Sequence, residues 1–283
     1  MKTIKTLQII LLTTTLFLFH LSSQAQKKPD LNQMRKMFEQ RRPQLDTLAF
    51  SPEKYNLPFL SFETTTLDSI KIASWFIPNP SNKGTVLMIH GFDMNKSGML
   101  GRASHFYKMG YSVVLPDLRA RGESGGEKAS TGKANATDVE CVYNFCKEHL
   151  SNFGELILYG FSHGGRAAVF GLNKVGAKNP IILESPPFYL SNAFKRQYKI
   201  ETPMNGDESE IKQALEAISS NPMLLLIGDD DTAINEEEGN ELIGFSRHKK
   251  SRIIVFEETA HSVYSTNESK YAKTLHQFLK SIK

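Results

Sequence analysis

Residues 160–164 read Gly-Phe-Ser-His-Gly, and this pentapeptide lies between an apolar run at 156–159 and a helix-forming run at 165–172. The preceding Leu-Ile-Leu-Tyr is typical of a buried strand. A Gly-x-Ser-x-Gly sequence between a strand and a helix predicts a sharp turn that exposes the serine oxygen, because small residues let the chain reverse direction there. Ser162 is therefore a candidate nucleophile. The alternative is a glycine-rich turn whose serine only caps the helix.

The chain on both sides of this turn alternates between apolar strands and helical segments. The runs that predict further strands after the first hairpin lie at 85–89, 111–115, 181–183, 223–227 and 252–256. Helical patterns separate them, which favours an α/β fold: one mostly parallel central sheet with helices on both faces. Residues 58–66 and 69–77 are expected to add an antiparallel hairpin at the N-terminal side of this sheet.

Length and composition indicate one large domain. The 283 residues are 40 % hydrophobic and 23 % charged, which is ordinary for a globular protein. The formal charge of +4 comes without a dense basic run, so nucleic acid is not expected as a partner. We expect an N-terminal arm at 26–57 and the main domain at 58–283. Within that domain, 185–221 is predicted to form a small lid, with one amphipathic helix that carries Ile211 and Leu215.

The first 25 residues have the features of a signal peptide. Lys2 and Lys5 form a positive start, a mostly apolar stretch follows, and small residues stand at 23 and 25. The predicted cleavage is between Ala25 and Gln26. An uncleaved membrane anchor is the alternative, but threonines interrupt the short apolar stretch, so stable membrane insertion is not expected. The leader predicts an exported protein, periplasmic or secreted.

A serine nucleophile needs a base, and the base needs an acid to orient it. In an open α/β sheet, all three are expected on loops at the carboxyl ends of the strands. His261 meets this condition because it follows the last predicted strand after a short loop. The ring of His163, beside the serine, is expected to point away from the serine oxygen. The order Ser, Asp, His along the chain matches the order in a family of serine hydrolases.

The candidate acids are three consecutive aspartates after the strand at 223–227. We favour Asp231 over Asp229 and Asp230, because the turn must first leave the strand before a side chain can swing toward the histidine. Glu184, at the end of the preceding strand, is a weaker alternative. A calcium site is the alternative interpretation of an aspartate cluster, but a single short run supplies fewer oxygen ligands than calcium takes. No metal ion is expected.

An attacked carbonyl develops an oxyanion, which needs two preorganised donors. One candidate is the backbone amide of His163, directly after the serine. The other is the amide of Phe92 in His90-Gly91-Phe92, which follows the strand at 85–89. The alternative for this tripeptide is a simple strand-ending turn. Aromatic residues near the expected site suggest an apolar acyl pocket, or equally ordinary core packing; they are Phe92, Phe161, Phe188 and Tyr189.

Five motifs in this order resemble the α/β-hydrolase superfamily, and within it the branch of esterases, lysophospholipases and serine-aminopeptidase-like enzymes. They are His90-Gly91-Phe92, the loop 117–126, the turn 160–164, Gly228-x-x-Asp231 and Ala260-His261-Ser262. The resemblance covers residue 58 to the C-terminus. The loop 117–126 departs from the usual pattern, because Ala120-Arg121 stand where Arg-Gly is expected after the aspartate, so the alignment is offset by one residue. The Gly-x-x-Asp spacing adds support for Asp231.

The resemblance implies a two-step acyl transfer on a small-molecule acyl substrate, with no metal or organic cofactor. Ser162 would attack, His261 would carry the proton, and Asp231 would orient the imidazole. We favour carboxylic esters as substrates. A peptidase or amidase with the same three residues is the first alternative, and it would need a subsite that grips a peptide terminus. A non-catalytic binding protein on this scaffold is the second.

Overall fold

The computed structural model describes residues 39–130, 134–199, 201 and 207–283. The predicted signal peptide and the first part of the predicted arm, up to residue 38, lie outside this range. Within the described residues, none of the helices combines the length and the apolar character needed to cross a membrane.

The described chain forms an eight-stranded sheet with the order β1-β2-β4-β3-β5-β6-β7-β8. The strands are β1 (Leu60–Thr65), β2 (Lys71–Ile77), β3 (Thr85–Ile89), β4 (Ser112–Pro116), β5 (Leu156–Phe161), β6 (Ile181–Glu184), β7 (Met223–Gly228) and β8 (Arg252–Phe256). β2 runs antiparallel to both β1 and β4, and every other pair is parallel. The predicted mostly parallel sheet with an N-terminal antiparallel hairpin is confirmed.

Helices cover both faces of this sheet. They are α1 (Leu100–Lys108), α2 (Ala134–His149), α3 (His163–Val175), α4 (Leu190–Tyr198), α5 (Asp207–Ala217), α6 (Glu236–Gly244), α7 (Val263–Thr266) and α8 (Glu268–Ser281). One hydrophobic core lies between the sheet and α2, α3, α5 and α6, and a second lies between the sheet and α1 and α8. Short 3-10 turns precede α1 and follow α2.

The strand β3 shows why the central strands have continuous apolar sequences. Leu87 and Ile89 pack into the first core, whereas Val86 and Met88 pack into the second. All four side chains are fully buried. A parallel strand covered on both faces must be apolar at every position, because it has no solvent-facing side. Polar and small residues therefore gather where these strands end, at the carboxyl edge that holds the site.

The described part of the N-terminal arm packs on the loop that follows β4. Residues 39–41 pair with 127–129 through an antiparallel bridge and two backbone hydrogen bonds of 2.8 and 3.0 Å. Arg41 donates to the carbonyls of Gly122, Ser124 and Gly126 at 2.9–3.2 Å. These bonds satisfy carbonyls that an irregular loop cannot pair within itself. The arm thereby stabilises a loop that borders the candidate site.

In the part of the predicted lid segment, 185–221, that the structure describes, two helices have different surroundings. The helix expected from its apolar spacing is α5, which packs against α3 with Ile211 and Leu215 fully buried in the first core. This part belongs to the body of the domain. α4 has no counterpart among the sequence-based expectations, and it lines the cavity described below.

Candidate active site

The serine lies in the sharp turn that the sequence predicts. β5 ends at Phe161, α3 begins at His163, and Ser162 between them has φ +52° and ψ −125°. A serine rarely adopts a positive φ, and such strain persists only where the surrounding structure enforces it. The amide of Ser162 donates to the carbonyl of Glu184 at 2.7 Å, and Gly165 donates to the carbonyl of Ser162 at 2.8 Å.

Two glycines make this turn possible because backbone segments meet there at close range. A Cβ atom on Gly160 would lie 2.4 Å from the carbonyl oxygen of Gly164. One on Gly164 would lie 2.3 Å from the carbonyl oxygen of Ile89 on the neighbouring strand. These obstacles are backbone atoms of the central sheet and of α3, so they cannot move aside. The glycines let α3 begin directly against β3 and β5.

The structure brings the three predicted triad side chains together. The Oγ of Ser162 lies 2.8 Å from Nε2 of His261. On the other side of the ring, Nδ1 lies 3.0 Å from each carboxylate oxygen of Asp231. In this arrangement Nδ1–H donates to the carboxylate, which leaves Nε2 free of a proton and able to accept the serine hydroxyl hydrogen.

The three aspartates differ in their surroundings. The side chain of Asp231 is fully buried, and its Oδ1 also accepts from the amide of Ala233 at 2.7 Å. Asp229 is exposed, and it accepts from the amides of Glu258 and Thr259 at 3.1 and 3.0 Å, which braces the loop leading to the histidine. Asp230 is exposed. Asp231 is thus the aspartate that reaches the imidazole.

Glu184, the weaker alternative acid, is bound elsewhere. Its fully buried carboxylate accepts two hydrogen bonds of 2.7 Å from the guanidinium of Arg102, and it also accepts from the hydroxyl of Tyr159. Burial disfavours the charge on Arg102, but the Glu184 carboxylate outweighs this and raises the pKa of the guanidinium. The role considered for Glu184 as the orienting acid is wrong, because its oxygens are used by these donors.

The Arg102–Glu184 pair holds the loop that carries the histidine. Arg102 donates to Oγ of Ser262, the residue after His261, at 2.9 Å. Glu184 accepts from the amide of Tyr264 at 3.2 Å. Sequence reasoning missed Arg102 because an arginine within a helix carries no pattern that separates a buried ion pair from a solvated face.

The predicted oxyanion loop is fixed by a buried histidine. The amide of Leu118 donates to Nε2 of His90 at 2.9 Å, so the proton lies on Nδ1, which donates to the carbonyl of Gly91 at 2.7 Å. Burial lowers the pKa of His90 to about 4, which keeps the ring neutral. The Gly91 carbonyl and the Phe92 amide belong to one trans peptide unit and point in opposite directions. Holding that carbonyl therefore fixes the direction of the Phe92 N–H.

The ring of His163, next to the serine, is held by Asn135. Its Nε2 lies 3.0 Å from Oδ1 of Asn135. Burial, together with the charge of Arg166, lowers the pKa of His163 to about 3. The ring therefore stays neutral and does not compete with His261 as the base. Its backbone amide remains the second candidate oxyanion donor.

A cavity of about 410 Å³ opens at the serine. It is lined by Gly91, Phe92, Asp93, Met94, Phe161, Ser162, His163, Pro187, Leu190, Ala193, Phe194, Gln197, Tyr198, Ala233 and His261. Among these described lining residues the carboxylate is Asp93, which pairs with Arg42. Two of the four aromatic residues considered from the sequence line the cavity. The other two, Phe188 and Tyr189, pack in the first core instead.

The described residues offer few other reactive groups. Over the described ranges, no cluster of three or more histidine, cysteine, aspartate or glutamate side chains is arranged to hold a metal ion. Burial raises the pKa of the Cys141 and Cys146 thiols to about 11 and 12. Neither cysteine is therefore a nucleophile at neutral pH.

Comparison with known proteins agrees with the fold. Residues 80–206 match the family described as serine aminopeptidase, S33. That stretch includes Phe92 and Ser162 but ends before Asp231 and His261. In the solved structures, an esterase from Pyrococcus furiosus, Pf2001, superposes with a TM-score of 0.75 at 24 % identity, over 86 % of this chain and 98 % of the esterase. The chain thus has the fold of the α/β hydrolases, and residues 80–206 are similar to one family of them.

Two curated relatives are similar over part of their length. A polyketide transferase from Penicillium, grgF, is 29 % identical over 117 residues, which is 40 % of each chain. An uncharacterised membrane protein from Saccharomyces cerevisiae, YNL320W, is 29 % identical over 130 residues, which is 44 % of each chain. The matched region is thus less than half the length of these relatives.

Backbone segments approach each other closely at the serine turn, so the addition of a single methyl group there should strongly lower the free energy of unfolding. We expect Gly164→Ala to destabilise the fold by about 3 kcal/mol or more, because the new Cβ meets the backbone of β3. Gly244→Ala is the matched control: apart from its chain neighbours and the backbone of its own helix, no atom lies within 4 Å of its Cβ position, and the change should stay within about 1 kcal/mol of the unchanged protein. Urea unfolding measures both. Equal stability of the two variants would contradict the close packing at the turn.

The buried ion pair of Arg102 and Glu184 predicts that its loss costs more stability than the loss of an exposed pair. Glu184→Gln leaves the Arg102 guanidinium buried without its counter-charge and should cost roughly 3–5 kcal/mol. Glu63→Gln removes an exposed pair with Lys71 and should cost about 0–1 kcal/mol. Chemical denaturation of both variants tests this. A Glu184→Gln protein as stable as Glu63→Gln would show that the pair does not hold the histidine loop.

Proposed function

We propose that this protein is a serine hydrolase of carboxylic esters that works through an acyl-enzyme. The observation that carries the proposal is the chain of hydrogen bonds from Ser162 through His261 to Asp231, at 2.8 and 3.0 Å, beside an apolar cavity. A serine hydroxyl is a weak nucleophile by itself. A neutral imidazole at hydrogen-bonding distance, held by a buried carboxylate, supplies the base that it needs.

In the first half of the reaction, Oγ of Ser162 attacks the ester carbonyl carbon while Nε2 of His261 takes the hydroxyl proton. Asp231 keeps Nδ1 protonated and stabilises the positive imidazolium. The carbonyl oxygen becomes an oxyanion, which accepts hydrogen bonds from the amides of Phe92 and His163 in this proposal. When the tetrahedral centre collapses, the imidazolium gives its proton to the departing alcohol, and the acyl group stays on the serine.

In the second half, water takes the place of the alcohol. His261 accepts a proton from the water as it attacks the acyl-serine, and the imidazolium then returns that proton to Oγ of Ser162. The products are a carboxylic acid and the restored enzyme. The Penicillium relative carries the name of a transferase. An acyl-enzyme is also the intermediate for transfer to a nucleophile other than water, so the acid product must itself be measured.

The lining of the cavity favours a neutral, apolar ester over a peptide with a free amino terminus. An aminopeptidase needs a carboxylate that is available to bind a substrate ammonium group. Among the described cavity residues, the candidate carboxylate is Asp93, and its charge is matched by the guanidinium of Arg42. Most of the remaining lining is aromatic or aliphatic, which suits an uncharged acyl chain.

The roles of the triad residues predict selective losses of activity. We expect Ser162→Ala to lower kcat for p-nitrophenyl butyrate by about 10⁶-fold and Asp231→Asn by about 10⁴-fold. Asp230→Asn, a change of the same chemistry one residue away, should keep kcat within about twofold, because that side chain is exposed and away from the imidazole. Release of p-nitrophenol and titration of the acid product measure this. Activity retained by Ser162→Ala would contradict the serine mechanism.

The preference for esters over amino-terminal peptides predicts a substrate contrast. We expect kcat/KM for p-nitrophenyl butyrate to exceed that for alanine p-nitroanilide by at least about 10³-fold, because the amine has no available counter-charge in the cavity. Asp93→Asn should leave ester hydrolysis within about twofold. Efficient cleavage of the anilide that is lost in Asp93→Asn would instead establish an aminopeptidase.

A further inference from the structure

The helix α4 has two chemically different faces. Residues 190, 193, 194, 197 and 198 line the cavity, with the spacing of one face of a helix. The opposite face carries Asn192 and Arg196, four residues apart, and both bind Glu238 of α6. One face of this helix is therefore a wall of the cavity, whereas the other face attaches it to the body of the domain.

Arg196 makes contact with two separate structures. Its Nη1 and Nη2 donate to the carboxylate of Glu238 at 2.8 and 2.7 Å, in the parallel geometry that is specific to arginine. Its Nε donates to the carbonyl of Thr232 at 3.0 Å, and Nη2 also donates to the carbonyl of Ala233 at 2.9 Å. Because the side chain of Glu238 is only 9 % exposed, water screens this pair less than it screens an ordinary surface pair.

The carbonyls that Arg196 binds belong to the loop of the triad acid. Thr232 and Ala233 directly follow Asp231, and the amide of Ala233 donates to the Asp231 carboxylate at 2.7 Å. Ala233 also lines the cavity. A single guanidinium therefore connects the wall of the cavity with the backbone that fixes the orienting carboxylate.

We propose that Arg196 is a positioning residue that holds α4 as the acyl-binding wall and, through the carbonyls of Thr232 and Ala233, holds Asp231 against His261. This inference rests on the proposed ester hydrolysis. Its two contacts have separable consequences. The contact with Glu238 governs how well a long acyl chain is bound, and the contact with the loop governs the rate of the chemical step for any acyl chain.

The test measures KM and kcat for p-nitrophenyl acetate and p-nitrophenyl octanoate. The variants are Glu238→Gln, which weakens the attachment of α4 but leaves the loop carbonyls bound, and Arg196→Gln, which removes both contacts. Lys195→Gln is the matched control, because Lys195 lies next to Arg196, is 64 % exposed and pairs with the exposed Glu201. Labelling of the serine with a fluorophosphonate counts active sites, so that misfolded protein does not lower kcat.

In Glu238→Gln we expect the KM for octanoate to rise about fivefold, with the kcat for acetate within about twofold of the unchanged enzyme. In Arg196→Gln we expect the same rise in KM and a fall of about tenfold in kcat on both esters, because the loop of Asp231 loses its support. Lys195→Gln should change neither constant.

Two results would overturn the inference: an unchanged ratio of the octanoate and acetate KM values in both variants, or an unchanged kcat in Arg196→Gln. The failure of the proposed function is distinguishable, since it would show as an unchanged enzyme that hydrolyses neither ester. In that case the inference is tested by the labelling rates of the same variants with short-chain and long-chain alkyl fluorophosphonates. Equal rates in all of them would overturn it.

Discussion

The close contact between the start of α3 and the strands β3 and β5 is the constraint on which the site depends. Gly160 and Gly164 let backbone meet backbone where any side chain would collide, and Ser162 is held at a positive φ between them. The strain at this serine is sustained by the packing of the central sheet, since both strands are buried on each face. The same contact that shapes the turn presents the serine oxygen at the carboxyl edge of the sheet, where the loops from the other strands end.

Around this turn, buried polar side chains hold the backbone segments that carry the residues of the site. His90 holds the peptide that carries the Phe92 amide, and the pair of Arg102 and Glu184 holds the loop after His261. These groups lie outside the reaction itself. They restrict the positions of the backbone segments that bring the reacting atoms together, and such preorganisation is a large part of how enzymes stabilise a developing charge.

Much of this arrangement is predictable from the sequence because it depends on local patterns. Apolar runs give the strands, and the order of motifs at strand ends gives Ser162, Asp231 and His261. The connections between distant segments are different. Arg102 meets Glu184 across 82 positions of sequence, and Arg196 meets Glu238 across 42. No periodicity or motif marks such pairs, so the role considered for Glu184 was wrong. The helix α4 was also not expected, because the apolar spacing in 185–221 indicated only the helix with Ile211 and Leu215.

The role of Ser162 as the nucleophile is measured most directly by titrating ester hydrolysis against covalent labelling. The protein is treated with increasing amounts of an alkyl fluorophosphonate, the labelled residue is mapped by mass spectrometry, and the remaining p-nitrophenyl butyrate hydrolysis is measured. We expect one label per chain, on Ser162, and a loss of hydrolysis in proportion to that label. Hydrolysis that persists after Ser162 is fully labelled would contradict the serine mechanism.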